Sequence, residues 1–223
     1  MASKFLFPAR CLGCGGTGSF LCQDCRNKLP RIAFPICDKC GRPQPGGPLC
    51  AACWSWNSAI DGIRSPFYFE GVVRKAVHEL KYYGLKASAA GLAELMAAYL
   101  AASSIPVEVL VPVPLHRKRL RQRGYNQSEL LAKEVGRLNG LSVNTKSLVR
   151  IKESRPQTRA VKVEERRVNV QDAFHCTDSL LAGKHVVLID DVCTSGSTLD
   201  ACAAALKSAG AASVWGLTLA RET

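Results

Sequence analysis

Val186-Val-Leu-Ile-Asp-Asp-Val-Cys-Thr-Ser-Gly-Ser-Thr-Leu199 is the stretch on which the reading of this chain turns. Val186 to Ile189 is an unbroken apolar run, as a strand buried on both faces of a parallel sheet requires. Two adjacent acids, Asp190 and Asp191, end it. A small, hydroxyl-rich turn, Thr194-Ser195-Gly196-Ser197-Thr198, then leads directly into an Ala-rich helix. Ligands of open α/β sheets bind at the carboxyl ends of the strands, which is where these residues fall. A turn of small residues at a helix N-terminus aims backbone N–H groups outward with the helix dipole behind them, and so cradles a phosphate. Gly196, lacking a Cβ, lets the backbone approach that phosphate closely. The carboxylates repel the same anion. They suit the neighbouring hydroxyls of a sugar, or a magnesium ion bridging to it. A phosphate followed by a diol outlines a ribose 5-phosphate.

Outward from this stretch, apolar spacing predicts helices over 72–82, 85–102, 126–138 and 197–209. Strands are expected over 65–69, 107–113, 184–189 and 213–220, with a strand or strand pair around 143–151. Alternation of strands and helices points to an α/β fold with a doubly wound, mainly parallel sheet. Strand 107–113 runs into a loop, 114–125, that holds His116, Arg117, Lys118, Arg119, Arg121 and Arg123 beside Gly124. That loop is a cationic turn at the ligand edge of the sheet, followed by a fresh helix N-terminus at Asn126. His78, His175 and His185 read as structural residues, Lys81 as a helix charge, and Cys193 as a small filler.

Eight of the eleven cysteines lie in the first 53 of the 223 residues, all as C-x-x-C pairs: Cys11/Cys14, Cys22/Cys25, Cys37/Cys40 and Cys50/Cys53. Each pair puts two sulfurs on one tight knuckle, half of what a tetrahedral zinc ion takes. Two closed, structural four-thiolate sites follow if the pairs are taken in sequence order, and a crossed pairing of alternate knuckles stays open. Such a segment has little core, so the metal supplies much of its folding energy. The expected organisation is a double zinc ribbon over 1–58 and an α/β domain over 59–223, with Trp54 and Trp56 in a linker (54–63) packing one on the other.

The net charge of +12 divides unevenly: +5 over 1–60, zero over 61–114, +10 over 115–169 and −3 over 170–223. A polyanionic partner fits that balance, and an acidic disordered tail is excluded. No apolar stretch reaches the ~18 residues of a membrane span, and the first residues make a poor signal peptide. The expectation is a soluble, cytoplasmic protein.

Residues 186–198 resemble the signature of the type I phosphoribosyltransferases at every required position. The cysteine module, Leu80-Lys81-Tyr82, Val111-Pro-Val-Pro-Leu-His116 and Arg123-Gly-Tyr-Asn-Gln127 together resemble the ComF family, known from competence for DNA uptake. The resemblance covers nearly the whole chain. It implies a type I phosphoribosyltransferase fold behind a zinc-ribbon module, binding phosphoribosyl pyrophosphate with magnesium. Asp190 and Asp191 would hold the ribose hydroxyls, and Thr194, Ser195, Gly196, Ser197 and Thr198 the 5-phosphate. Lys81, His116, Arg117, Arg123 and Asn126 are the candidates for the pyrophosphate. Residues 152–169, with Gln157, Arg166 and Asn169 before Phe174, resemble the family's segment that covers the active site. Excluding water there would protect an oxocarbenium-like intermediate, and Arg166 or Arg155 would stabilise the departing pyrophosphate.

Two further readings follow from the same residues. One is a binding protein that keeps the phosphoribosyl site and grips single-stranded DNA through the basic face 115–169 and the ribbons. Only Tyr125 interrupts that basic run, which gives base stacking little support. The other, by family analogy alone, is an adaptor that docks on a helicase-like protein of the uptake machinery. No acceptor for the ribosyl group is legible.

Overall fold

A computed structural model describes residues 9–82, 88–152 and 172–222. Six strands form one sheet in which every pairing is parallel: β1 (Gly62–Arg64), β2 (Phe67–Tyr68), β3 (Val109–Pro112), β4 (Ser142–Val143), β7 (His185–Cys193) and β8 (Ser213–Arg221). The order is β1-β8-β7-β3-β4, with β2 also on β8. A separate antiparallel pair is made by β5 (Leu148–Arg150) and β6 (Phe174–Cys176). The chain leaves β3 through helix α6 (Gln127–Asn139) towards β4, and leaves β7 through α7 (Ser197–Ser208) in the opposite direction towards β8. The point where these directions diverge, between β3 and β7, is where open α/β sheets bind ligands.

Strand periodicity builds two cores from one sheet. Val187 and Ile189 join α3 (Gly71–Tyr82), α4 (Ser88–Ala101) and α6 on one face. Val186 and Leu188 join Leu199, Cys202, Ala203 and Leu206 of α7 on the other. Both faces of β7 are therefore dry, in keeping with its continuous apolar run. β7 continues through Asp190 and Asp191 to Cys193, four residues beyond its expected end, because β8 pairs with it up to Arg221. The segment expected as the loop 114–125 contains a helix, α5 (Arg117–Arg123), capped by Gly124 in the left-handed region at φ 78°.

The cysteine module lies along the β1 edge and reaches both cores. It includes two short helices, α1 (Gln23–Asn27) and α2 (Ala51–Trp54). Cys11, Leu21 and Leu29 pack into the α3–α4 core, whereas Cys37, Cys40, Cys53 and Trp56 pack into the α7 core. Lys39 accepts from the Ile63 N–H at 2.8 Å, and Pro30 accepts from Tyr68 N–H at 2.8 Å, so ribbon backbone covers edge groups that would otherwise invite strand addition. Of the two expected anchors, Trp56 is buried. Trp54 is 74% exposed and anchors nothing within the described chain. Among the described residues, no helix is long and apolar enough to cross a membrane.

Asp200 fastens the linker to the domain. Its Oδ1 accepts from the N–H of Ala59 at 2.7 Å and of Ile60 at 3.1 Å. Asp200→Ala orphans two backbone donors beside the fully buried Ile60, and hydrogen bonds to a charged acceptor are worth about 1.5–3 kcal/mol each. Urea unfolding should show a loss of about 2 kcal/mol or more, with Asp200→Asn losing less.

Candidate functional site

The carboxyl end of β7 and the N-terminus of α7 form the centre of the site. Ser195 and Ser197 hydroxyls lie 2.7 Å apart across the turn, and Gly196, at φ 81°, precedes the first helical residue. Asp200 N–H bonds to the Gly196 carbonyl at 2.9 Å, so the first-turn N–H groups before it have no intrahelical acceptor. That is the donor set of an anion site. Gly196 must lack a side chain for a reason the sequence does not show, besides the close approach to a phosphate expected from it. A Cβ there would meet Ile63 Cδ1 at 2.8 Å and Trp56 Cη2 at 3.0 Å, so it would strike the packing beneath the turn, and its φ is itself strained for other residues.

The acids stand in different surroundings. Asp190 Oδ1 accepts from Ser128 Oγ at 2.8 Å and from the Asp191 N–H at 2.9 Å. Asp191 is buried and pairs with Lys81 Nζ at 2.8 Å; its Oδ2 is buried with no hydrogen-bond partner among the described residues. Burial first, and the neighbouring Asp191 second, push the Asp190 carboxyl up to about 7, against the opposing pull of Lys81 and Ser128. Two crowded carboxylates with an unsatisfied buried oxygen are oxygen donors of the type that magnesium accepts, so the residues fit that ion.

The other candidates separate. Lys81 reaches the acid pair. Asn126 caps α6: its side chain accepts from Ser128 N–H at 3.1 Å and donates to the Val113 carbonyl at 3.0 Å, clamping α6 to the end of β3. Arg123 donates to Gln127 Oε1 and stands over the Tyr82 ring, 5.6 Å from its centroid. His116 is the residue before α5, its Nδ1 3.4 Å from Lys118 N, and Arg117 opens that helix exposed. Arg155, Gln157, Arg166 and Asn169 lie outside the described residues. His185 Nδ1 lies 2.8 Å from Ser213 Oγ, a structural contact. Two contributors, Ser128 and Arg221, go unmarked in the sequence, because each meets its partners across a long chain separation; Trp56 is legible as an anchor, but its place beneath Gly196 is not.

The cysteines form two clusters in sequence order, Cys11, Cys14, Cys22, Cys25 and Cys37, Cys40, Cys50, Cys53, with all four sulfurs of each within 4.8 Å. The crossed pairing is thereby excluded. N–H groups of Cys14 and Cys22 hold the Cys11 thiol down at about 6. Burial pushes the Cys37 thiol up, yet the N–H groups of Cys40 and Cys50 bring it to about 6. In each cluster one thiol is thus lowered while others are raised, Cys25 mainly by the Cys11 and Cys22 thiols, and Cys40 and Cys53 mainly by burial, so the remaining protons must leave when a zinc ion binds. The second cluster also explains a buried cation. Arg221, 2% exposed, donates through Nη1 to the Cys40 carbonyl, and the same nitrogen lies 3.2 Å from Cys193 Sγ. A zinc ion with four thiolates would carry two net negative charges, and the Arg221 charge, which favours the ionised Cys40, would offset one of them. Cys193 is thus a filler that also touches this arginine.

Elemental analysis of metal-replete protein should find about two zinc ions per chain. Arg221→Met should make one of them more labile to a chelator, by about 10- to 100-fold, while the other is unchanged. Titration of Asp190 sets a pH dependence. With its folded value raised from 3.8 to about 7, the folded chain holds a proton that the unfolded chain releases, so this group lowers stability as pH rises through that window. Asp190→Asn keeps an acceptor for Ser128 and should remove this fall. Urea unfolding at pH 8 should show a gain on the order of 2 kcal/mol, reduced by the solvent that reaches this half-buried carboxyl, a smaller gain at pH 5, and little change at about pH 3, below the unfolded value.

Residues 2–54 match the double zinc ribbon domain, and residues 122–222 match the phosphoribosyl transferase domain. The chain is 31% identical over 217 residues to competence protein ComFC of Bacillus subtilis, covering 91% of this chain and 84% of that protein. It is 29% identical over 231 residues to competence protein F of Haemophilus influenzae, covering 96% and 98%. A solved glutamine phosphoribosylpyrophosphate amidotransferase from B. subtilis, complexed with ADP and GMP, is 18% identical with a TM-score of 0.39, covering 57% of this chain and 25% of that one. With two four-cysteine clusters in sequence order, a parallel sheet ending in an acid pair and this breadth of identity, the chain belongs to the ComF family: a double zinc ribbon joined to a domain of the type I phosphoribosyltransferase fold.

Proposed function

We propose that the protein binds phosphoribosyl pyrophosphate and transfers its ribose 5-phosphate to an acceptor, within the handling of DNA during competence. The observation that carries this reading is the adjacency of the phosphate turn, 194–198, to the acid pair at the sheet's switch point. The 5-phosphate would take the first-turn N–H groups of α7 and the hydroxyls of Thr194, Ser195, Ser197 and Thr198. Asp190 and Asp191 would take the ribose hydroxyls and hold magnesium, which when bound neutralises donor pyrophosphate. Ser128 is a positioning residue: its hydroxyl fixes one Asp190 oxygen and leaves the other to the ligand. In the transfer, the bond from ribose C1 to the pyrophosphate oxygen breaks and one to the acceptor's nucleophile forms, with pyrophosphate leaving. Lys81, in contact with Asp191, and Arg123, which lines the same hollow, are the cations offered to that charge, with Arg166 as a further candidate. The DNA setting is carried by the names of the relatives, competence proteins both.

Isothermal titration with phosphoribosyl pyrophosphate and magnesium tests the reading. Binding should be saturable, and the double change Asp190→Asn with Asp191→Asn should weaken it at least about tenfold, the effect of losing about 1.4 kcal/mol. A pyrophosphate-release assay over nitrogenous acceptors then separates transfer from binding alone. Absence of binding in zinc-loaded, cooperatively folded protein would sink the proposal.

A further inference from the structure

Beside the acid pair lies a second hollow, of which the reading above uses only Lys81 and Arg123 and leaves the aromatic wall and Arg119 without a role. Lys81, Tyr82, Arg119, Gln122, Arg123 and Tyr125 line a cavity of about 560 Å³, between the end of α3 and helix α5. Three of the six side chains are cations and none is an acid. Lys81 connects it to the phosphoribosyl centre through its 2.8 Å contact with Asp191.

Tyr82 gives the cavity its character. It is 66% exposed at the last turn of α3, an aromatic left largely in water. Neighbours fix its ring: His78 stands at 4.7 Å between centroids, tilted by 44°, and the Arg123 guanidinium lies 5.6 Å from the ring centre. Gln127, in turn, holds Arg123, and the Tyr125 hydroxyl donates to the Leu80 carbonyl. An aromatic face is thus preset within a cationic hollow. Cations alone would take any small anion, and an aromatic alone any flat apolar group. Together in one cavity of small-molecule size they select a planar ring that carries a negative charge. Aromatic rings beside arginine are how proteins stack nucleobases while neutralising the attached phosphate.

We propose that this cavity binds a nucleotide, its base against Tyr82 and its phosphate towards Arg119 and Arg123. The same chemistry is offered by a free nucleoside 5′-monophosphate and by the 5′-terminal residue of a single strand. The nucleotide shares Arg123 with the donor's pyrophosphate in the reading above but not the phosphate turn or the acid pair, so Tyr82 and Arg119 are what distinguish the two.

Binding to the full zinc-loaded chain is measured with thymidine 5′-monophosphate, thymidine, inorganic phosphate, and ten-residue thymidine oligonucleotides with and without a 5′-phosphate. Thymidine 5′-monophosphate lacks the ribose diol, so saturating ribose 5-phosphate should not displace it. It should bind more tightly than thymidine or phosphate. Tyr82→Ala should weaken it roughly tenfold, the scale of one lost base stack, and Tyr82→Phe should not. The thermal midpoint and the affinity for phosphoribosyl pyrophosphate should stay at the wild-type value in Tyr82→Ala. A 5′-phosphorylated oligonucleotide binding more tightly than the mononucleotide identifies a strand end as the source, and equal or weaker binding identifies the free nucleotide. The proposal is overturned if phosphate binds as well as the mononucleotide, if Tyr82→Ala binds like the wild type, or if ribose 5-phosphate competes. Should the wild type fail to bind phosphoribosyl pyrophosphate while the nucleotide arm holds, the donor reading fails and this one stands.

Discussion

Two adjacent carboxylates at the end of a strand buried on both faces are the constraint around which this molecule is arranged. A strand flanked by two dry cores has no water for its polar ends, and like charges one residue apart raise each other's cost of ionisation. Asp191 answers with Lys81, brought from the last turn of α3. Asp190 answers with the Ser128 hydroxyl and the Asp191 N–H. Those partners come from two helices on the same face of the sheet, docked there by the apolar core that Val77, Leu80, Leu131 and Val135 share with Val187 and Ile189. Even so, one buried Asp191 oxygen stays unpaired and Asp190 is held near neutrality. Incomplete satisfaction at a sheet's switch point is the mark of a site kept for a ligand rather than for stability.

The sheet was largely legible in the sequence because its signals are local. An unbroken apolar run specifies a strand buried on both faces, and the acid pair followed by a hydroxyl-rich turn specifies what sits at its end. The C-x-x-C spacing likewise specifies a metal knuckle without reference to anything distant. Wherever the structure departs, the deciding contact is long-range. β7 outruns its apolar stretch because β8 supplies ladder partners up to Arg221, a fact about the other strand. The basic segment 114–125 folds into a helix because Gly124 caps it and Tyr125 docks on Leu80, although a run of cations suggests only a solvated loop.

The same reasoning applies to the ring and the cations that the proposed nucleotide cavity brings together. Along the chain, Tyr125 is the one aromatic within the basic segment. In space, α3 delivers Tyr82 of the Leu80-Lys81-Tyr82 segment to the same surface from some forty residues upstream, where the charge is neutral and no spacing shows that ring and cations will meet. Electrostatic composition is read from sequence, but the pairing of a ring with a cation is a property of the fold.

The composition shift near residue 58 marks where one kind of sequence ends, yet the contacts do not end there. The floor under Gly196 is Trp56 and Ile63, one from the linker and one from β1. Ile63 gives its N–H to Lys39 of the second ribbon, and Arg221 at the end of β8 gives its charge to the second cysteine cluster. Removing the ribbons would therefore take from Arg221 its Cys40 carbonyl and from the Ile63 N–H its Lys39 acceptor, loosening one of the two residues on which the turn 194–198 rests. Zinc binding energy is folding energy in modules of this size, so the metal at the second cluster holds in place the residues on which the phosphate turn rests. The ribbon is thus part of the foundation of the site, one layer below the ligand.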